Sequence, residues 1–170
     1  MKKFYFLVLL LLIPMFSMGQ EAKFKAVFTL NFIRYVGWPE SSKQGDFVIG
    51  VVRSKEVADW LKEQSAGKPF GFQNIVIKEF KTLEEIDGCQ VLFVSSVINM
   101  RNNGALLMDK AKLKNSLVVT EAEGATNYGA AINFVVRDGV LKFELHKANA
   151  ARMGLQFSSR LEGMAAAINL

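Results

Sequence analysis

Hydrophobic positions recur at two spacings along this chain, and the alternation between them predicts the fold. In residues 21–35, Phe24, Phe28 and Phe32 fall every fourth residue with Val27 and Tyr35 beside them, which is one face of an amphipathic helix. That helix should stop at Gly37-Trp38-Pro39, because proline disfavours helix for the residue before it and glycine weakens the last turn. Residues 46–52 are almost continuously apolar, as a strand covered on both faces must be. The same rhythm then repeats. Ser54 is placed to cap a helix with a Val57, Trp60 and Leu61 stripe, and Gly67 should end it. Residues 75–77 read as strand, 82–86 as a short helix with Thr82 and Glu85 at capping-box spacing, and 88–94 around Cys89 as a buried strand. Residues 103–112 read as helix and 117–120 as strand. Such alternation implies βαβ units with right-handed crossovers and a mostly parallel sheet.

After Glu121 the rhythm breaks. Residues 121–129 form a polar, glycine-containing loop, and the β-rich runs 131–136 and 140–145 are joined by Arg137-Asp138-Gly139, with Asp-Gly as a hairpin turn signal. Phe143 and Leu145 alternate with Lys142, Glu144 and His146, so one face of this strand should be wet. Two short helices should close the chain. The first spans 148–153 and meets Gly154; the second opens on a Ser159/Glu162 capping box and carries Leu161, Met164, Ala165 and Ile168 as its apolar stripe. The expected fold class is α/β: a mostly parallel open sheet of βαβ units, a C-terminal antiparallel β-hairpin and two short terminal helices, with the strand order left open.

The N-terminus has a different character. Met1-Lys2-Lys3 is a basic n-region, residues 4–16 are apolar, and Ser17-Met18-Gly19 offers small residues where a signal peptidase cleaves. The apolar run of about 13 residues is short of the roughly 20 that span a bilayer. Residues 1–19 therefore read as a cleaved secretory signal and 20–170 as one exported α/β domain. No cysteine near the cleavage point marks a lipid attachment site. The formal charge of +5 falls to +3 when Lys2 and Lys3 leave, and the remaining basic residues form no dense block, so nucleic acid is excluded as a partner. A single cysteine, Cys89, cannot form an internal disulfide and reads as a small buried hydrophobe.

Catalytic constellations are scarce. His146 is the only histidine, no nucleophile-elbow sequence accompanies it, and a solvated or capping role at the end of its strand is the simpler reading. One Cys and one His far apart lack the clustering that zinc needs, and the segment after the first strand lacks a glycine-rich phosphate loop. No enzyme, metal or cofactor is expected. Candidate binding residues are better supported. Trp38 at the helix end packs as a lid or meets a partner or ligand. Phe70-Gly71-Phe72 is either a tucked-in loop or a protein-binding patch. Arg152, Ser158 and Arg160 cluster near the break between the terminal helices, where two arginines could receive a carboxylate. Asn31, beside the Phe stripe, is expected to satisfy a buried backbone group, with ligand contact as the alternative.

Three blocks together resemble the YfiR (DUF4154-type) family of exported bacterial proteins: Lys25-Ala26-Val27-Phe28-Thr29-Leu30-Asn31-Phe32 running to Trp38-Pro39; Cys89-Gln90-Val91-Leu92-Phe93-Val94-Ser95; and Ile132-Asn133-Phe134, Phe143-Glu144-Leu145, Ala150-Ala151-Arg152, Gly154-Leu155 and Ser158-Ser159-Arg160-Leu161 in that order. The resemblance implies a non-enzymatic regulator that binds and represses the periplasmic domain of an inner-membrane sensor, with a membrane diguanylate cyclase and cyclic di-GMP output as the best-known arrangement. Some relatives pair their cysteines; Cys89 has no partner, which removes the basis for a carried-over redox role. The alternative is a small-molecule-binding protein with its ligand at the carboxyl ends of the parallel strands. A homodimer is left open.

Overall fold

A computed structural model describes residues 15–170 of the chain. The basic n-region and most of the apolar run expected to act as a signal lie outside the described residues. Helix α1 (Met15–Tyr35) leads into a two-residue strand β1 (Val36–Gly37). Strand β2 (Phe47–Val52), helix α2 (Lys55–Ser65), β3 (Ile75–Phe80), β4 (Val91–Val94), helix α3 (Met100–Lys112) and β5 (Leu117–Thr120) follow in βαβ order. A 3₁₀ turn at Ala125–Tyr128 links to the hairpin β6 (Ile132–Arg137) and β7 (Val140–His146), then helix α4 (Lys147–Arg152), β8 (Gln156–Phe157), helix α5 (Ser159–Met164) and β9 (Ala167–Asn169).

The main sheet has the order β3-β2-β4-β5-β6-β7-β9. The first five strands are mutually parallel, β6 and β7 are antiparallel, and β9 runs parallel to β7. Because β2 leads outward to β3 in one direction and β4 leads to β5 and β6 in the other, right-handed crossovers place α2 and α3 on opposite faces. Helix α1 packs along α2. The Phe spacing of α1 has a specific use: Phe28 and Phe32 cover the cross-strand pair Phe134 and Phe143, with Phe32 and Phe143 edge to face at 4.9 Å. Burying a ring such as Phe32, 1% exposed, stabilises the fold by about 2–3 kcal/mol. On β2, Gly50 lets the Cys89 sulfur and the Phe80 ring close over the strand; a Cβ there would lie 2.8 Å from each.

The expected fold class is the observed one, with local differences that have physical reasons. Residues 82–86 are turn and not helix: the Ile86 amide donates to the Leu83 carbonyl, three residues back at 3.2 Å, so the segment closes one tight turn and no four-residue helical bond follows. Helix α5 is capped by Ser158 and not Ser159, since Ser158 Oγ accepts from Leu161 N while Glu162 pairs with Lys147. It ends at Met164. The last apolar residues then form β9 beside β7, anchored by Ala166 N donating to the Phe143 carbonyl, so the expected stripe splits and Met164 and Ile168 are exposed. Ser54 stands at the α2 N-cap without a side-chain capping bond, whereas Asn99 caps α3 and starts it three residues early, at Met100. Cys89 is buried just before β4, and Phe24 is exposed.

Candidate functional site

The sequence-derived candidates gather mostly around the C-terminal end of α1. Trp38 turns back onto the helix it follows, donating from Nε1 to the Ile33 carbonyl at 2.9 Å and meeting Phe47 edge to face at 5.0 Å. Phe70 closes on the other side of Phe47 at 4.9 Å, so Trp38, Phe47 and Phe70 form one aromatic stack. Gln73 holds this loop, donating through Nε2 to the Ser42 and Gly45 carbonyls at 3.1 Å each. Gly71, at φ +60°, reverses the chain in the left-handed region and throws Phe72 outward. Phe72 is fully exposed, at 108% of its reference area, while its neighbour two residues earlier is packed.

Asn31 is exposed and not buried against backbone as expected. It lines, with Arg34, Lys68 and Phe70, a small cavity of ≈ 150 Å³ between α1 and α2. Ser158 donates its amide to the Tyr35 carbonyl, and the Arg160 guanidinium lies 5.3 Å from the centre of the Tyr35 ring, so β8 and the start of α5 close the same end of the molecule. Arg152 does not join this group. It donates to Asn149 Oδ1 at 3.2 Å and lines a different cavity of ≈ 660 Å³ with Arg101 and Tyr128.

A second polar assembly forms at the carboxyl ends of β4 and β5. Lys25 on α1 sits between Glu21, one turn earlier, and Glu121, which follows β5. Glu121 Oε1 also accepts from the Ser96 amide beyond β4, so one carboxylate ties α1 to two strand ends. Burial pulls the Lys25 ammonium down, but hydrogen bonds to Glu121 and Glu21 outweigh it and hold it above the ordinary lysine value. Strand β5 stops at Thr120 opposite Asn133, whereas β6 continues to Arg137 paired only with β7. The notch beyond β5 is a cavity of ≈ 480 Å³ lined by Lys25, Ser96, Glu121, Asn133 and Phe134 among others. Asn133 is 1% exposed and its Oδ1 accepts no hydrogen bond. None of these residues was singled out as a site from sequence. The one available signal was a lone amide inside the apolar run Ile132-Asn133-Phe134.

Two chemically reactive groups occupy structural positions. His146 is the N-cap of α4, where its Nδ1 accepts from the Asn149 amide at 3.3 Å. Burial pushes the Cys89 thiol up to about 12, away from a thiolate. Among the described residues, no group of three or more His, Cys, Asp or Glu is placed to hold a metal ion, and no helix is long and apolar enough to cross a membrane.

No curated protein sequence matches the chain. A conserved domain protein from Vibrio cholerae O1 biovar El Tor, solved by crystallography, shares the fold with a TM-score of 0.58 at 11% identity. The match covers 87% of this chain and 60% of that one. Residues 22–166, which take in the aromatic stack and all of the Lys25 assembly and the notch beside β6 except Glu21, match the YfiR/HmsC-like family model, and the chain belongs to that family.

Proposed function

We propose that this protein is an exported, non-enzymatic regulator, delivered to the periplasm by residues 1–19 and acting as one domain over 20–170. It binds the periplasmic domain of an inner-membrane signalling protein, of diguanylate cyclase or other sensor type, and holds it inactive. The observation that carries the reading, beside family membership, is Phe72: a fully exposed ring on a loop fixed by Gln73 and backed by the Trp38, Phe47 and Phe70 stack. An exposed aromatic on a loop that is already held in place is the kind of anchor that interfaces use, because little backbone has to be ordered on binding. Asn31, Ser158 and Arg160 lie around the same end and would form the polar rim, with Arg160 able to receive a carboxylate. Arg152 stands apart and is assigned no part in this surface. A tenfold preference for the inactive sensor needs only about 1.4 kcal/mol of differential binding, so a modest interface suffices.

Capture of the tagged protein from gently cross-linked cell envelopes tests this reading. Recovery of an inner-membrane protein with a periplasmic domain and a cytoplasmic signalling domain, lost in Phe72→Ala, supports it; equal recovery by both forms refutes the assigned surface. A second reading, small-molecule binding at the carboxyl ends of the strands, is favoured by the cavity beside Asn133.

A further inference from the structure

We propose that the free edge of β3 receives an extended segment of the membrane partner as an added strand, with a carboxylate of that segment held at the start of the edge. This deepens the sensor-binding reading, on which it rests for the identity of the partner, and its test needs no sensor. The backbone carries the argument first. β3 is the outermost strand of the main sheet and, among the described residues, pairs only with β2. Phe47 N donates to the Asn74 carbonyl at 2.8 Å and Arg53 N to the Phe80 carbonyl at 3.1 Å, so the even-numbered residues of 74–80 serve the ladder. The amides and carbonyls of Ile75, Ile77 and Glu79 therefore point away from the sheet, and no turn or loop among the described residues bonds to them.

The devices that usually close such an edge are missing. The opposite edge of the sheet is β9, three residues long, whereas β3 runs for six residues in unbroken register and holds no proline. Its two charged side chains are already neutralised, Lys78 by Asp87 at 2.7 Å and Glu79 by Lys62 at 2.5 Å, and residues 74–77 carry no charge. An unpaired row of this kind, about 20 Å long, is a template for one more strand. Just before it, the amides of Phe70 and Gln73 each donate to the other's carbonyl at 3.0 Å, and this closed turn projects Phe72 three residues ahead of the first outward group. The edge and the aromatic anchor form one continuous surface.

The charges at the start of the edge select the occupant. Ile75 lines the hollow of ≈ 150 Å³ between α1 and α2 together with Asn31, Arg34, Lys68 and Phe70. No Asp or Glu lines it, and neither Arg34 nor Lys68 has an ion-pair partner among the described residues. Small-molecule sites begin at roughly 300 Å³, so the hollow suits a single carboxylate, which both cations would receive. An extended segment that bonds to Ile75, Ile77 and Glu79 and carries Asp, Glu or a chain terminus at that end satisfies both features. A second copy of β3 does not, because its one carboxylate, Glu79, is held by Lys62.

Titration of the ¹⁵N-labelled mature chain with the peptide acetyl-Glu-Val-Thr-Val-Thr-Val-Glu-amide tests the proposal, since a carboxylate at each end allows either strand direction. Saturable shifts of amides 75, 77 and 79 are expected, with slowed hydrogen exchange at the same three. The Gln-ended counterpart should bind at least threefold more weakly. Glu79→Pro removes one outward donor and no ladder bond, a change that edge strands tolerate, and should weaken the peptide about tenfold with the amide spectrum otherwise kept. Lys68→Glu, at an exposed position, should weaken it at least threefold. No saturable shift, shifts centred elsewhere, equal binding of the Gln-ended peptide, or full affinity in either variant would each overturn the proposal. So would a concentration-dependent dimer that protects amides 75, 77 and 79, because the edge would then belong to a second copy. Sensor capture with Phe72→Ala reads the anchor and not the edge, so either reading can fail while the other stands.

Discussion

Replacing Asn149 with alanine removes the side chain that holds the β5–β6 connection, and the structure sets the size of the loss. Asn149 is 4% exposed. Its Nδ2 donates to the Thr126 carbonyl at 2.7 Å and to the Ala130 carbonyl at 2.9 Å, and its Oδ1 accepts from Arg152. Thr126 O keeps a second donor, the Gly129 amide, at 3.4 Å. Ala130 O has no other donor among the described residues, and Ala130 is fully buried. Two lost hydrogen bonds cost about 1 kcal/mol each, and the orphaned Ala130 carbonyl adds roughly 1–2 kcal/mol, for a total of about 3 kcal/mol. In a domain of this size that lowers the melting temperature by about 6–12 °C.

Guanidinium titration and thermal melting monitored by circular dichroism measure the effect directly. Asn149→Asp should lose as much as Asn149→Ala, because a carboxylate cannot donate to either carbonyl. Arg152→Ala, at an exposed position, should cost less than about 0.5 kcal/mol. A loss below about 1 kcal/mol in Asn149→Ala would refute the reasoning, since it would mean that the two carbonyls find other donors without cost. The segment stapled here, 122–130, includes Gly124 in the wall of the notch, so its loosening should also reshape that cavity.

Three further outcomes are expected. Phe72→Ala should leave stability within about 0.5 kcal/mol, as an exposed side chain does, while Phe70→Ala, which breaks the stack on Phe47, should cost about 2–3 kcal/mol in the same denaturation assay; the reverse order would overturn the assignment of buried and outward rings. The Cys89 thiol should resist a disulfide reagent in the native protein at pH 8 and react fully in denaturant; rapid native labelling would contradict its burial. Stability should fall as pH rises from about 8.5, the free thiol value, and further above about 10.4, the free lysine value. Both Cys89 and Lys25 have folded values raised above these, so their contributions are complete below the free values and lost as pH climbs through the folded ones. Cys89→Ala should flatten the first part of that decline, and an unchanged profile would remove the thiol from the account.

Much of the architecture was legible because it is written in local patterns. Continuous apolar runs at 46–52 and 117–120 became interior parallel strands, Phe28 and Phe32 of the four-residue Phe spacing became part of the packed face of α1 while Phe24 stayed exposed, and Asp138-Gly139 became the hairpin turn, both residues adopting positive φ at +54° and +72°. The misreadings occur where a distant partner decides. Residues 164–168 carry helical spacing, but the free edge of β7 offers a row of backbone groups, and the Phe143 carbonyl captures Ala166 before the helix can continue. Tertiary pairing overrides spacing at a chain end, where only one turn of helix is at stake.

The candidate surfaces divide along the same line. The aromatic stack was visible because Trp38-Pro39 and Phe70-Gly71-Phe72 are compact motifs, although only the φ of Gly71 separates the ring that packs from the ring that projects. The notch beside β6 had no motif, since Lys25, Ser96, Glu121 and Asn133 are brought together only by strand order and by the early end of β5. Lys25 and Glu121 lie 96 positions apart, and their pairing cannot be inferred from charge spacing that reports on neighbours within one or two turns. Asn133 was conspicuous in a different way. An amide inside a buried strand is normally met by a partner that the fold supplies, and Asn133 is the exception, since the fold brings no donor to its buried Oδ1.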